Sequence, residues 1–522
     1  MKCEQLLAEL KYEFVDKTEG VMDREITAVV NDTRKVSDGC LFVCIKGANF
    51  DSHDAVADIA KNGAAVIVVE REVSHVDGAS VIKVADTRIA MSLLAAAWFD
   101  YPARKLIAIA LTGTKGKSTS AYMIRNILQK CGHKTGIIGT IGVGIGDKVY
   151  QTHNTTPDPY TVQSYLAQMV DEGCDSLVME VSSQAMKQNR VAGIIYDYAL
   201  YTNLEPDHIG PNEHADFGEY MYCKSLLFRQ CRYAAGNGDD PHFDDVVLCK
   251  APAPEGFPAA DAPIYEKAVR FGYGSDLEYR AEDIELIGKG GDIGISYTAV
   301  MNGRPLKVTL SMPGRFNVSN SIGALSVCAD ILEKDAAGDE KRFDELLGKA
   351  AEALYETKVK GRLETLAISK RFAIMIDYAH NSMALKSLLT TLREHKPGRL
   401  VCLFGCGGNR DRERRFEMGE VSSQLADLTV VTSDNPRFEK PIDIINDILV
   451  GVKKADGEYI VIPDRKEAIY TVIRDAHDGD MIILAGKGQE DYQEIEGVRY
   501  HMDERELVAE AVGRIMAERG YV

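Results

Sequence analysis

An α/β protein of three domains, with largely parallel sheets and a phosphate-binding loop in its central domain, is the fold this sequence predicts. Three observations lead there. From Leu106 onward, short apolar runs that read as buried strands alternate with helical or loop stretches. After a long helical interval the same series restarts near Gly361. The length of 522 residues also suits about three domains. Repeated βα units argue for a mostly parallel sheet with functional residues at the strand C-termini.

Taken in order, the N-terminal part mixes the strand-like runs "CLFVCIKG", "AAVIVVE" and "SVIKV" with helical segments, and Pro102 in "WFDYPARK" marks a boundary. Next come "LIAIALTG", "KTGIIGTIG", "DSLVMEVSS" and "YDYALYTNL". Residues 233–262, rich in Gly, Pro, Asp and Ala, read as an excursion around one strand. Helix is expected from "MPGRFNVSNSIGALSVCADIL" to about Lys360. A second series then runs through "GRLETL", "FAIMIDYAH", "RLVCLFGCGG", "LTVVTSDNP", "YIVIP" and "DMIILAGKG". The expected domains are 1–104, 105–359 and 360–522.

The central motif is "LTGTKGKSTS". The common phosphate loop, G-x-x-x-x-G-K-[ST], would need a glycine five residues before Gly116, where Leu111 stands; the nearest is Gly113. The local physics still holds. "KLIAIALTG" is a short buried strand, and "KSTSAYMIRNILQKCG" has Met123, Ile124, Ile127 and Leu128 at helical spacing with Gly132 to end it. A strand, a tight loop and a helix N-terminus present free backbone N–H groups to an anion. Lys117 is placed for the outer phosphates, and Ser118 or Thr119 for Mg²⁺.

Composition narrows the class. Apolar residues make up 45% and charged residues 27%, as in ordinary globular proteins. No apolar run approaches the ~18 residues of a membrane span. "MKCEQLLAELKYEF" carries charges among its leucines and does not read as a signal peptide, so a cytoplasmic location is expected. Eleven cysteines without C-x-x-C spacing read as reduced thiols. A net charge of −18 disfavours nucleic acid and anionic membranes as partners, leaving small molecules. Positive charge must be concentrated locally, at Lys115 and Lys117 and in "GGNRDRERR".

Further polar residues fall at strand ends. "VMEVSS" places Glu180 after a buried strand, and "YTNLEPDHIG" places Asn203, Asp207 and His208 after another. "THNTTPD" supplies Asn154, Thr155 and Thr156. "GEYMYCKSLLF" puts Lys224 at the start of an amphipathic helix, where by itself it reads as a surface lysine. Mg²⁺ prefers oxygen ligands and keeps waters, so a loop hydroxyl and Glu180 suffice for one ion.

The whole set of motifs resembles one family. "TGTKGKS", "NTTP", "MEVSSQAMKQNR", "TNLEPDH", "YCKSLLF", "PGRFNVSN", "GRLE", "DYAHNSMAL", "FGCGGNRDRERR", "SDNPR" and "AGKGQEDYQ" occur in the order of the Mur ligases, from about Thr33 to about Gln493. The likeness is greatest to members that add the third amino acid of the peptidoglycan precursor. It implies a three-domain architecture with a central ATP-binding domain and a Rossmann-like C-terminal domain. It also implies ATP-driven amide formation through an acyl phosphate, which makes chemical sense because a carboxylate is a poor electrophile until its oxygen becomes a leaving group.

The resemblance further implies roles. Gly113, Thr114, Lys115, Gly116, Lys117, Ser118 and Thr119 would hold ATP, with Asp377, His380 and Asn381 of "DYAHN" facing it. Ser118 or Thr119, Glu180 and His208 would serve Mg²⁺. Lys224 aligns with a lysine that CO₂ converts to a carbamate, an anionic oxygen ligand where an ammonium would be repelled. Thr33, Asn154, Thr155, Thr156, Ser182, Gln188 and Arg190 match residues that hold a UDP-muramoyl substrate. Arg410, Asp434, Asn435, Pro436, Arg437, Gly486 and Glu490 match the pocket for the incoming amino acid. Arg437 suits one with a second carboxylate, as in diaminopimelate, because a guanidinium reads a carboxylate bidentately.

The sequence departs from the family pattern in places. Lys115 replaces an asparagine, Ser118 a threonine, "SSQ" stands for "SSH" and "GKGQE" for "GKGHE". The segment between His208 and Lys224 is two residues longer than the commonest form. Three alternatives remain open: lysine or another diamino acid as the amine, a related ligase acting on folate or another acid, and a regulatory nucleotide-binding protein without turnover.

Overall fold

The computed structural model describes residues 1–47, 49–210, 213–257, 260–289 and 292–518. Two compact units emerge from it, Met1–Leu277 with Gly323–Lys334, and Glu278–Ile322 with Asp335–Val522.

The first unit contains two sheets. The N-terminal one has five strands in the order Glu13–Asp16, Ser80–Lys83, Val66–Val69, Leu41–Val43, Val29–Val30. The three apolar runs read from the sequence form its parallel centre, and helix Thr87–Trp98, capped by the Asp86 carboxylate, packs on it.

In the larger sheet, Lys267–Gly272, Cys231–Asn237, Tyr196–Tyr201, Ile107–Thr112, Ser176–Glu180 and Thr135–Gly139 run parallel in that order. Gly142–Ile145 and Lys148–Tyr150 complete one edge antiparallel. Ile107–Thr112 lies between two strands that follow it at opposite turns of the chain. This is a switch point, where the loops after adjacent strands diverge and leave a crevice. The loop helix spans Lys117–Cys131 and ends at Gly132 in the left-handed region, as its sequence predicts.

The second unit opens with three antiparallel strands, Tyr279–Lys289, Asp292–Met301 and Arg304–Leu310. The βα reading assigned no element there. Tyr279–Lys289 and Arg304–Leu310 are partly exposed, with alternating burial along the latter, and Asp292–Met301 between them, though buried, interleaves Gly294, Ser296 and Thr298 with its apolar residues; none of the three spells the continuous apolar run that marks a parallel strand. Helices Arg315–Ala336 and Glu340–Glu356 follow as expected. A six-stranded sheet has the order Glu364–Leu366, Ala373–Asp377, Met481–Ala485, Leu400–Phe404, Leu428–Val431, Tyr459–Val461, parallel except for its first strand. A hairpin, Tyr492–Ile495 with Val498–His501, lies beyond it in the chain.

All eleven cysteines are free thiols, nine of them buried. Among the described residues no helix is long and apolar enough to cross a membrane.

Candidate active site

The loop after Ile107–Thr112 is clamped by the loop after Tyr196–Tyr201. Gly113 has φ +145°, and a β-carbon there would stand 2.0 Å from the Thr202 hydroxyl, so only glycine fits. Thr114 N–H donates to the Asn203 carbonyl (2.9 Å), and Lys115 N–H to the Asn203 side chain (2.9 Å). Lys115 Nζ pairs with Glu205 at 2.5 Å, so its charge is already answered by a neighbour on the facing loop. Gly116, at φ +84°, precedes the helix, and Ser118 and Thr119 are buried in its first turn.

Lys117 Nζ donates to the carbonyls of Gly113 (2.7 Å) and Thr114 (3.1 Å). Lys224 Nζ donates to the same Gly113 carbonyl at 2.9 Å. The sequence reading of Lys224 as an exposed residue opening a helix is corrected here. Lys224 lies in the last turn of helix Phe217–Ser225 and is buried. Burial, reinforced by the Lys117 charge, pushes its amine well below the ordinary lysine range. The Tyr220 ring stands 4.6 Å from Lys224 Nζ and 6.2 Å from the His208 ring, and its hydroxyl meets Thr114 Oγ1 at 3.0 Å. His208 is exposed at φ +54°, with Nδ1 3.1 Å from Glu213.

Glu180 is the buried last residue of its strand, in register with Leu111. Its oxygens accept from Thr140 N–H (3.0 Å) and Thr140 Oγ1 (3.2 Å). Thr155 Oγ1 lies 3.0 Å from Thr140 Oγ1, and Thr156 Oγ1 donates to the Glu180 carbonyl at 2.9 Å. The "NTTP" loop therefore packs against the Glu180 strand end, while Lys117, Lys224 and the phosphate loop gather around Gly113. Pro211 and Asn212 of the lengthened segment lie outside the described residues.

Ser182 caps helix Ser183–Lys187, accepting from Ala185 N–H. Arg190 donates to the Thr156 carbonyl (2.7 Å) and, by two nitrogens, to Gln188 Oε1 (3.1 and 2.8 Å). Burial lowers the Arg190 pKa, and nearby Arg88 lowers it further. Asn154, Gln188 and Arg190 line a cleft of about 340 Å³ with Asn31, Arg88 and Asp158. Thr33 lines a second cleft, which shares Asn31 and Ile45 with the first. Sequence reasoning missed Arg88, because an arginine in the first turn of a helix carries no motif.

In the second unit, Asp377 is held by N–H groups of Leu363 and Ala379 at 2.8 and 2.9 Å, and burial raises its carboxyl above the usual range. His380 is exposed, with Nδ1 2.8 Å from the Tyr378 carbonyl. Asn381 caps helix Ser382–Glu394.

The loops after Leu428–Val431 and Met481–Ala485 bring "DNPR" and "GKGQE" together. Asn435 Nδ2 donates to Glu490 (2.9 Å), and Asn435 Oδ1 accepts from Lys487 Nζ (3.0 Å) and Glu494 N–H (2.9 Å). Lys487, fully buried and unselected by the sequence reading, also reaches Glu490 at 3.0 Å and lies 3.9 Å from Asp434. Gly486 lets Asp434 approach: a β-carbon there would be 3.0 Å from its Oδ2. Pro436 is buried, and Arg437 takes φ +52°. Arg437 Nη1 and Arg410 Cγ both approach Gly407, 3.1 and 3.8 Å from where a β-carbon would stand. The result is a cluster of polar side chains carrying both signs of charge.

The chain matches three family models: "Mur ligase family, catalytic domain" over residues 25–99, "Mur ligase middle domain" over 111–328, and "Mur ligase, glutamate ligase domain" over 361–488. It is 37% identical to the UDP-N-acetylmuramoyl-L-alanyl-D-glutamate--2,6-diaminopimelate ligase of Bacillus licheniformis, covering 98% of this chain and 99% of the relative. With ligase 1 of that name from Clostridium acetobutylicum the identity is 35%, again over 98% and 99% of the two chains. A solved structure of a ligase of this name superposes with a TM-score of 0.70 at 27% identity, covering 98% of this chain and 99% of that one. Similarity at this level along the whole length shows that the chain belongs to the Mur ligase family.

Proposed function

We propose that the chain is an ATP-dependent ligase that joins meso-diaminopimelate to the terminal carboxylate of UDP-N-acetylmuramoyl-L-alanyl-D-glutamate in peptidoglycan precursor synthesis. The observation that carries this reading is the gathering of Arg437 and Arg410 at Gly407 with the Asn435–Glu490 contact in the same set of loops, in a chain similar end to end to ligases named for that reaction. An amino acid with charged groups at both ends needs cations and carboxylates in one place.

In this reading the segments 1–104, 105–359 and 360–522 serve the UDP end, ATP and the amino acid. Thr33, Asn154, Thr155, Thr156, Ser182, Gln188 and Arg190 hold the UDP-muramoyl portion. The loop amides of 113–119 and Lys117 neutralise the phosphates, with His380 and Asn381 on the ATP side. The substrate carboxylate takes the γ-phosphoryl group, giving an acyl phosphate and ADP. The amine, oriented by Asp434, Asn435, Gly486 and Glu490, attacks the acyl carbon, and phosphate leaves with the C–O electron pair. Both steps depend on positioning and charge neutralisation. ATP and a UDP-linked substrate place this work in the cytoplasm.

Ser118, Thr119, Glu180 and His208 are the residues that would hold Mg²⁺, an oxygen-rich set suited to it; the bound ion would neutralise phosphate charge. Lys224 fits conversion to a carbamate. Only a neutral amine attacks CO₂, and burial beside Lys117 favours that neutral form. A carbamate there would present oxygen donors in place of an ammonium.

The test is ADP release with UDP-muramoyl-dipeptide and each of diaminopimelate, lysine and ornithine. The expected result is turnover that requires the dipeptide substrate and is fastest with diaminopimelate. Rapid ATP hydrolysis with neither co-substrate, or a preference for lysine, would refute the assignment.

A further inference from the structure

Three buried donors of different kinds converge beside Lys224, and the ligase reading uses none of them. The Cys223 sulfur, one Glu219 oxygen and one His214 ring nitrogen lie within 4.8 Å of one another. His214 and Cys223 are fully covered, and Glu219 is 7% exposed.

Local structure brings them together. Asp216 caps helix Phe217–Ser225 by accepting from Glu219 N–H at 2.8 Å. Glu219 and Cys223 then stand four residues apart on one helix face. His214 is fixed in the loop before the cap, where its N–H donates to the His208 carbonyl and its carbonyl accepts from Gly210 N–H, both at 3.0 Å. The other edge of its ring is held too, with Nε2 2.9 Å from Ser183 Oγ.

Hydrogen bonding accounts for two of the three donors. His214 Nδ1 lies 3.0 Å from Glu219 Oε1, and Lys187 Nζ pairs with the same oxygen at 2.5 Å. The buried Cys223 thiol, set against the same group, has no hydrogen-bond partner among the described residues. Sulfur and imidazole donors beside one carboxylate suit Zn²⁺, whereas Mg²⁺ wants oxygen throughout. Tetrahedral bonds of about 2.0–2.3 Å set ligand atoms roughly 3.3–3.8 Å apart, so a closing movement of about 1 Å completes the set.

We propose that His214, Glu219 and Cys223 form a binding site for Zn²⁺ or an ion of similar softness, with the fourth position open to water. On binding, the Cys223 sulfur gives up its proton to solvent and bonds the ion as thiolate. The imidazole stays neutral: its proton passes to Nε2, where Ser183 Oγ accepts it, and the Nδ1 lone pair turns to the ion. Ser183 serves either tautomer, because a hydroxyl both donates and accepts. Lys187 must release Glu219. Its side chain is 30% exposed and already donates to the Glu213 carbonyl at 2.9 Å, so its ammonium has solvent and a second acceptor to turn to. Thiolate and carboxylate together balance the charge of the ion. The bound ion would tie the loop of His214 to the helix of Lys224, the residue next to Cys223 in the chain.

The test is read without turnover and does not depend on the ligase reading. Metal-free full-length protein, kept reduced and in excess Mg²⁺ to fill oxygen sites, is titrated with Zn²⁺ against a chromophoric chelator and separately with Co²⁺. One Zn²⁺ per chain is expected, and Co²⁺ should give a thiolate-to-metal charge-transfer band in the near ultraviolet. Cys223→Ala should abolish the band, and His214→Gln should weaken affinity while keeping it. Ser183→Ala, which removes only the partner of the ring, should weaken affinity by about 10- to 100-fold. Thermal unfolding of each metal-free variant checks its folding, and Cys223→Ala, the mildest change, decides the matter if His214→Gln fails to fold. A wild type that gives no band with Co²⁺, a band that survives in Cys223→Ala, or unchanged affinity in a folded His214→Gln would each overturn the site.

Discussion

Lys117 and Lys224 place their amine nitrogens on one acceptor, the Gly113 carbonyl, at 2.7 and 2.9 Å. Two ammonium groups cannot share that oxygen cheaply away from water, and burial, reinforced by the Lys117 charge, lowers the pKa of Lys224 well below the ordinary lysine value. Lys224→Ala should lose nearly all ligase activity while keeping its unfolding temperature within a few degrees, and a short-chain carboxylate such as acetate should restore part of it. Full activity of the alanine variant in CO₂-free buffer would rule out the carbamate.

Lys117 differs because it begins the loop helix and is partly exposed. Lys117→Ala removes a fixed charge from the phosphates and should reduce turnover by about 10²-fold or more, with little change in stability. Gly113→Ala should be more damaging, since its β-carbon would collide with Thr202. Nucleotide-dependent protection against thermal unfolding should disappear in that variant, and its persistence would argue against the clamp.

A pH effect is expected at His214. Its Nδ1 lies 3.0 Å from Glu219 and its Nε2 2.9 Å from Ser183 Oγ, joining helix Ser183–Lys187 to helix Phe217–Ser225. Burial lowers its pKa from the ordinary 6.5, against the pull of Glu219, and Lys187 and Lys224 lower it further. For Glu219, burial works to raise the carboxyl, but hydrogen bonds from Lys187 and His214 outweigh it and hold the pKa below 4.5. The unfolded chain therefore takes up protons before the native one does. The histidine contribution is whole above pH 6.5 and falls away below it; the glutamate contribution is lost only below 4.5. Unfolding temperatures between about pH 7.5 and about pH 5 should fall with acid in wild type and less steeply in His214→Gln. Identical slopes would exclude His214 as the group responsible.

Arg465 braces the two loops that carry Asp434 and Gly486. Fully buried, it pairs with Glu504 at 2.7 Å and donates to the carbonyls of Ser433 (3.1 Å) and Ala485 (3.0 Å), the residues immediately before Asp434 and Gly486. Arg465→Met leaves a buried carboxylate without its partner and should cost about 3–5 kcal/mol. It should also raise KM for the amine more than KM for ATP. A variant as stable as wild type by denaturant titration would contradict this.

Much of the fold can be read locally. The phosphate loop, its strand and its helix follow from an apolar run, two glycines and helical spacing, and all three stand where those signals put them. "DNPR" and "GKGQE" likewise follow buried strands, as the second βα series expects. The antiparallel strands 279–310 escaped the reading because polar residues interrupt each of them, even the buried Asp292–Met301, and leave no apolar run of the kind that betrays a parallel strand.

Charge environment is a different matter. Lys224 reads as a surface lysine because its helix gives no hint of Gly113, 111 residues earlier in the chain, whose carbonyl covers it. Lys487 and Glu494 sit among motif residues yet acquire partners only when strands Leu428–Val431 and Met481–Ala485 deliver their loops to one side. Strand, turn and helix signals act over a few residues, through φ/ψ preference and the period of apolar side chains, and sequence alone determines them. Burial, counter-ions and protonation depend on which distant backbone lies opposite, and strand order decides that.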